Sequence, residues 1–140
     1  MEAPTLEPTP AGPEPAPERV VAFDPGRNLG AAWVRADGTA ERLALLTLDD
    51  LDRLELPAGA HVLVGDGTGS AGVLARLRKR GLEPYVVDEE GTTLEARALY
   101  FRDHPARGLA RLVPAGMRSP PRTIDDYAAY AIALRWLRRR

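Results

Sequence analysis

Arg19-Val20-Val21-Ala22-Phe23-Asp24-Pro25-Gly26-Arg27-Asn28-Leu29-Gly30 is the stretch on which the fold turns. A continuous apolar run closed by an acid reads as a buried strand that carries a carboxylate to the rim of a sheet. A carboxylate there can hold a cation. Gly26 and Asn28 suit the positive φ of a tight loop, and Gly30–Arg35 reads as a second strand. Asp37-Gly38 is a hairpin turn into a third, Ala40–Leu46.

Working outward, Thr47 and Asp50 have the spacing of a capping box for a short helix near Leu48–Leu54. His61–Gly65 is a short apolar strand, followed by the loop Asp66-Gly67-Thr68-Gly69. Ser70 is placed to cap a helix ending at Gly81. Leu82–Asp88 reads as a strand. Thr92 and Glu95 have capping-box spacing for a helix to about Asp103, stopped by Pro105. Residues 105–121 are rich in Pro and Gly and read as loop. A last helix is expected from Thr123 to Leu137 or beyond, with Ile124, Ala128, Ala131 and Ile132 on its apolar face. Hairpin-linked strands followed by β-α-β units give an α/β fold: a mixed five-stranded sheet flanked by helices, the layout of a ribonuclease H-like domain.

Residues 1–18 hold six Pro and four Glu and no Lys or Arg. That composition reads as a tail outside the fold, leaving 19–140 as one domain. The chain has 140 residues and 44% hydrophobic content, enough for a single core. No apolar run approaches the ~20 residues of a membrane helix. The start shows no charged n-region followed by an apolar h-region, so a cytoplasmic location is expected. Cys is absent and His occurs only at 61 and 104. Thiolate and His-rich metal sites are excluded, and a metal held by oxygen ligands would be Mg²⁺ or Mn²⁺.

The net charge of −1 is unevenly spread: the first 18 residues carry −4, and Arg97–Arg140 carries ten Arg against three acids. Eighteen of the nineteen bases are Arg, whose forked guanidinium suits phosphate. Arg27, Arg97, Arg107, Arg111 and Arg118 are the candidates for phosphate contact. The commonest role of each taken singly is an ordinary exposed Arg; together they make a backbone-binding face.

Two acids share one pattern. Asp24 ends the first strand, where an Asp before Pro-Gly is most often a turn residue. Asp66 ends His61–Gly65 in the same way, and strands lying side by side would bring both acids to one edge, outside the carboxyl ends where α/β sheets bind ligands. The following Gly67-Thr68-Gly69-Ser70 could cradle a phosphate, but lacks the Lys-Ser/Thr of a P-loop. Asp125 and Asp126 open the last helix. Capping with Thr123 explains Asp126 better than Asp125, which leaves Asp125 as a ligand. Glu89, in Asp88-Glu89-Glu90, is a further ligand or general base, and the sequence does not rank it against Asp66. Grouped carboxylates repel one another, and a divalent cation relieves that repulsion. Two such cations roughly 4 Å apart can serve phosphodiester hydrolysis without His, Cys or Ser.

Val21-Ala22-Phe23-Asp24-Pro25-Gly26 with Gly30 resembles the first-strand motif of RuvC-like resolvases and their YqgF/RuvX relatives. Val87-Asp88-Glu89-Glu90-Gly91-Thr92-Thr93-Leu94-Glu95-Ala96 is similar to the Asp-Glu-Arg-x-Thr-Thr-x-x-Ala segment of the YqgF branch. Asp125-Asp126-Tyr127-Ala128-Ala129 resembles that branch's opening of the last helix. The resemblance covers about residues 20–137 in order. It implies a Mg²⁺- or Mn²⁺-dependent nuclease on structured nucleic acid, engaged in Holliday junction resolution (DNA repair) or in maturation of ribosomal RNA precursor. Carried over by motif, Asp24, Glu89 and Asp125 are the catalytic acids, and Asp66 stands where RuvC has a Glu. With the strand-end reading, the expected catalytic set is Asp24, Asp66, Glu89 and Asp125, with Asp24, Asp66 and Asp125 as metal ligands. Departures are Glu90 in place of the branch's Arg, the Gly65–Gly69 segment, and the long loop rich in Pro and Arg.

The expected partner is branched DNA or structured RNA, bound by a homodimer if the activity is that of a resolvase. Sparse aromatics favour shape recognition over sequence-specific stacking. The alternatives are a non-catalytic nucleic-acid-binding module on the same fold, and a sugar-kinase- or actin-like phosphate binder. The latter normally closes two such domains over its nucleotide.

Overall fold

The computed structural model describes residues 18–26, 28–114 and 117–139. Five strands, β1 (Arg19–Asp24), β2 (Leu29–Arg35), β3 (Ala40–Leu46), β4 (His61–Gly65) and β5 (Tyr85–Val87), form one sheet in the order β3-β2-β1-β4-β5. β2 is antiparallel to β1 and β3, whereas β4 is parallel to β1 and β5 to β4. The helices are α1 (Ser70–Lys79), α2 (Thr92–Asp103) and α3 (Asp125–Arg138), with 3₁₀ turns at Leu48–Asp52 and Gly108–Leu112. No helix among the described residues is long and apolar enough to cross a membrane. The fold is therefore α/β with a mixed five-stranded sheet, as the sequence pattern implies.

The uninterrupted apolar run of β1 follows from its central place, covered on both faces. Val20 and Ala22 join Leu63, Tyr127, Tyr130 and Ile132 under α2 and α3. Val21 and Phe23 point the other way, to Trp33, Leu51, Val64 and Leu77 beside α1 and the first 3₁₀ turn. Each buried Val, Leu, Ile or Phe among these stabilises the fold by roughly 1.5–3 kcal/mol. α3 is apolar well beyond one stripe: Tyr127 and the run Ala129–Ala133 are all buried. The small Ala side chains let it lie close on the sheet, and its middle is anchored by Tyr130, whose hydroxyl donates to Gly38 O at 2.6 Å. Gly38 supplies the positive φ of the β2–β3 turn, at +90°.

The Thr47/Asp50 capping box is present, on a 3₁₀ turn. The other expected caps are not. Gly69 and Gly91, both left-handed, occupy the positions before α1 and α2, so Ser70 is the first residue of its helix. Thr92 Oγ1 turns back to Glu89 O at 2.7 Å, and Glu95 reaches Arg135 instead. α3 begins after Ile124 with no side-chain cap, because Arg122 takes up Asp126 in a forked pair at 3.1 and 3.2 Å. β5 is shorter than the expected strand from Leu82, since Leu82 N–H closes α1 on Leu77 O and Pro84 has no N–H to give. The Pro/Glu-rich stretch lies outside the described residues up to 17. Glu18 belongs to the sheet's rim, with its carboxylate 2.9 Å from His61 Nε2.

Candidate functional site

Parallel pairing aligns β1, β4 and β5, with Phe23 opposite Val64 and Gly65 opposite Val87. Their carboxyl ends, and whatever follows them, therefore share one edge. That edge receives Asp24 from β1, Asp66 from the turn after β4, and Asp88-Glu89 from the turn after β5. α3 brings Asp125 to the same place. In the β1–β2 register Asp24 faces Gly30, and the Asp125–Asp126 backbone lies directly against Gly30, where any Cβ would overlap it. The missing side chain is what lets α3 start here.

Three carboxylates adjoin. Asp24 is pushed up to about 8 from the ordinary 3.8, first by burial, then by the charge of Glu89 and hydrogen bonding to it, then by Asp125 in the same two ways. The Glu89 side chain passes over Gly65 and Gly67, and its carbon Cδ would lie 2.7 and 2.9 Å from a Cβ on either. The Gly65-Asp66-Gly67 turn thus makes room for a carboxylate. Glu89 Oε1 is the one buried side-chain oxygen among the described residues that receives no hydrogen bond. An acceptor in that position calls for a proton shared with Asp24 or for a cation. Asp24, Glu89 and Asp125 also line one cleft of about 430 Å³, together with Thr93, Arg97 and Arg122.

Asp66 takes a different position from the other three. It is exposed, its Oδ1 accepts the Glu89 backbone N–H at 3.0 Å, and its own N–H donates to Val87 O at 3.0 Å. It pins the turn that carries Glu89. Asp126 is buried on Arg122 and does not line the cleft. Of the arginines, Arg97 lines the cleft. Arg107 and Arg111 are exposed at the second 3₁₀ turn. Arg118 folds back on its own loop, donating to Val113 O at 2.9 Å and Arg111 O at 3.3 Å. Arg27 lies outside the described residues.

Sequence reasoning passed over Arg135. Its side chain is 11% exposed, with Nη1 donating to Asp88 O at 2.8 Å and Nη2 to Glu95 Oε1 at 3.0 Å. Arg138 Nη2 reaches the other oxygen of Glu95 at 3.3 Å. α3 therefore grips the Asp88–Gly91 turn from behind while Asp66 holds it from the front. Arg135→Met is expected to cost ~1–2 kcal/mol through the orphaned Asp88 carbonyl. Amide exchange at Glu89–Gly91 should quicken by about tenfold, read by hydrogen-exchange mass spectrometry. Unchanged exchange there would show that Asp66 suffices. Nothing in the sequence marks Arg135, because its partner is a main-chain carbonyl 47 positions away.

Among the described residues, no three His, Asp or Glu side chains are set around one point as a finished metal cage. The donor chemistry nevertheless fits a hard cation: adjoining carboxylates, one buried oxygen without a donor, and an open cleft in front. Compared with known proteins, no family model matches the chain, and no curated protein matches its sequence.

Proposed function

We propose that the chain is a divalent-metal-dependent nuclease with a ribonuclease H-like fold, akin to the RuvC/YqgF group, acting on structured nucleic acid. The observation that carries this reading is the crowding of Asp24 by Glu89 and Asp125 at the carboxyl ends of the central parallel strands. The strand order is compatible with that fold. Burying a carboxylate against two others costs stability, and a Mg²⁺ or Mn²⁺ ion reverses the cost. Asp24, Glu89 and Asp125 are the residues to hold it. When bound, such ions activate water for attack on phosphorus and stabilise the departing oxygen. Asp66 and Arg135 keep Glu89 in place, and Arg97, which lines the same cleft, attracts the phosphate. The Arg-rich C-terminal third supplies the wider electropositive surface.

The test is cleavage of a labelled four-way DNA junction and a structured RNA in Mn²⁺ or EDTA, by wild type and Asp125→Asn. Cuts that need Mn²⁺ and vanish in the variant are expected, and the preferred substrate separates junction resolution from RNA processing. Cuts that persist in Asp125→Asn would sink the site assignment. One observation favours a second reading, a nucleic-acid-binding module without catalysis: the carboxylates do not form a finished cage among the described residues. Salt-sensitive binding with no cutting on either substrate would select it.

A further inference from the structure

We propose that residues 105–114 and 117–123, between α2 and α3, make up a base-contacting element, in which Leu109, Leu112 and Met117 engage unstacked bases of the nucleic acid while arginines beside them hold its phosphates. The proposal rests on the nuclease reading of the neighbouring cleft and narrows its substrate to strands with unpaired bases beside the scissile bond.

Leu109 is 83% exposed, Leu112 79% and Met117 75%, the highest values among the exposed large hydrophobics of the described residues. Leu109 and Leu112 face solvent from the second 3₁₀ turn. Arg118 stitches the loop by its bonds to Val113 O and Arg111 O. The same loop forms a wall of the acid cleft. Pro120 and Arg122 line that cleft, while Ser119 and Pro121, between and beside them, line an adjoining apolar groove of about 360 Å³ with Phe101. The exposed side chains thus stand on an element that borders the carboxylates.

Charge selects the occupant. Residues 104–123 include Arg107, Arg111, Arg118 and Arg122 and no Asp or Glu. Of these, Arg107 and Arg111 are exposed, whereas Arg122 is paired with Asp126 and Arg118 is bonded to its own loop. Apolar side chains beside the two exposed cations fit a polyanion that also offers flat apolar surface. An intact duplex keeps its bases stacked inside and presents no such surface at its backbone. Bases at a gap, a branch or a loop do. A protein surface would meet the Leu and Met side chains equally well, but only an acidic one would meet the arginines.

The test uses a Leu109→Ser/Leu112→Ser/Met117→Ser variant of the full chain in EDTA, so that binding is read without cutting. All three positions are exposed, and an unchanged Tm is the check on folding. Two ligands are compared at one salt concentration: a continuous duplex, and the same duplex with a short single-stranded gap carrying 2-aminopurine. The expected result is a loss of about tenfold or more in affinity for the gapped ligand. Duplex affinity should be unchanged, and the 2-aminopurine signal seen with wild type should disappear. Equal losses on both ligands, or none, would overturn the proposal. So would wild-type self-association abolished by the same substitutions, which would make the patch an interface between copies. Metal-dependent cutting by wild type without preference for the gap would overturn this inference alone. Absence of any nucleic-acid binding by wild type would overturn both it and the nuclease reading.

Discussion

Asp24→Asn is expected to abolish metal-dependent cleavage, by at least about 10³-fold or roughly 4 kcal/mol of barrier, and to make the metal-free protein more stable at neutral pH. Both effects have one cause. Asp24 is held at about 8 in the folded chain, against 3.8 for a free aspartate, by burial and by the Glu89 and Asp125 charges. Between those pH values the folded chain binds more protons at this position than the unfolded chain does. The contribution of Asp24 to stability is therefore most favourable below about pH 4 and falls as pH rises towards 8. The loss is on the order of a few kcal/mol, since Asp24 keeps some solvent contact. Asn carries no charge, and its amide can donate to Glu89 or Asp125. Urea unfolding at pH 5 and pH 8 in EDTA measures this directly: wild type should weaken between the two, and the variant should hold. A wild type as stable at pH 8 as at pH 5 would mean that the three carboxylates do not crowd in solution.

Gly30→Ala is expected to be among the most damaging single-methyl additions to this chain. The added Cβ would overlap the carbonyl of Asp125 and lie 2.8 Å from Asp126 N. Both are backbone atoms, so no rotamer change relieves the clash. α3 would have to lift from the sheet, disturbing Tyr127, Ala129 and Ile132 in the core. A loss of about 3 kcal/mol is expected, the upper end for overpacking, together with loss of cleavage as Asp125 moves from Asp24. Gly67→Ala should spare stability by comparison, because the clash is with the movable Glu89 carboxylate, yet should still lower activity. Denaturant midpoints for the two variants separate these cases. Equal midpoints would show that α3 is not seated on Gly30.

The architecture was legible where pattern and burial agree. The apolar run before Asp24, the Asp37-Gly38 turn and the strand-helix alternation after His61 lead to the observed order of elements, because a central strand and a tight hairpin leave few other arrangements. Helix starts were less legible. Thr92/Glu95 and Thr123/Asp126 have capping-box spacing, but Glu95 is taken up by Arg135 of α3 and Asp126 by Arg122 four residues before it, and each ion pair overrides the cap. At the site, the strand-end pattern brought Asp24 and Asp66 to one edge but could not tell which acid faces Asp24. That depends on the glycines: Gly65 and Gly67 leave space that Glu89 fills, and Asp66 turns outward to hold the Glu89 backbone. The Gly65-Asp66-Gly67 turn carried that information in its missing side chains. Arg135 left no trace in the sequence pattern, since its partners lie 47 and 40 positions away, whereas Arg122 stands at i,i+4 spacing from Asp126, a local signal that the capping-box reading passed over.

The most direct test of the carboxylate cluster as a cation site is thermal unfolding during Mn²⁺ titration at pH 7.5, for wild type and Asp24→Asn, without nucleic acid. A cation that relieves the repulsion among Asp24, Glu89 and Asp125 binds the folded chain and must raise its Tm with saturation. The expected result is a saturable rise of several degrees in wild type and little or none in Asp24→Asn, whose metal-free Tm starts higher. Equal rises in both proteins, or no rise in wild type, would contradict the assignment of these three carboxylates to a divalent cation.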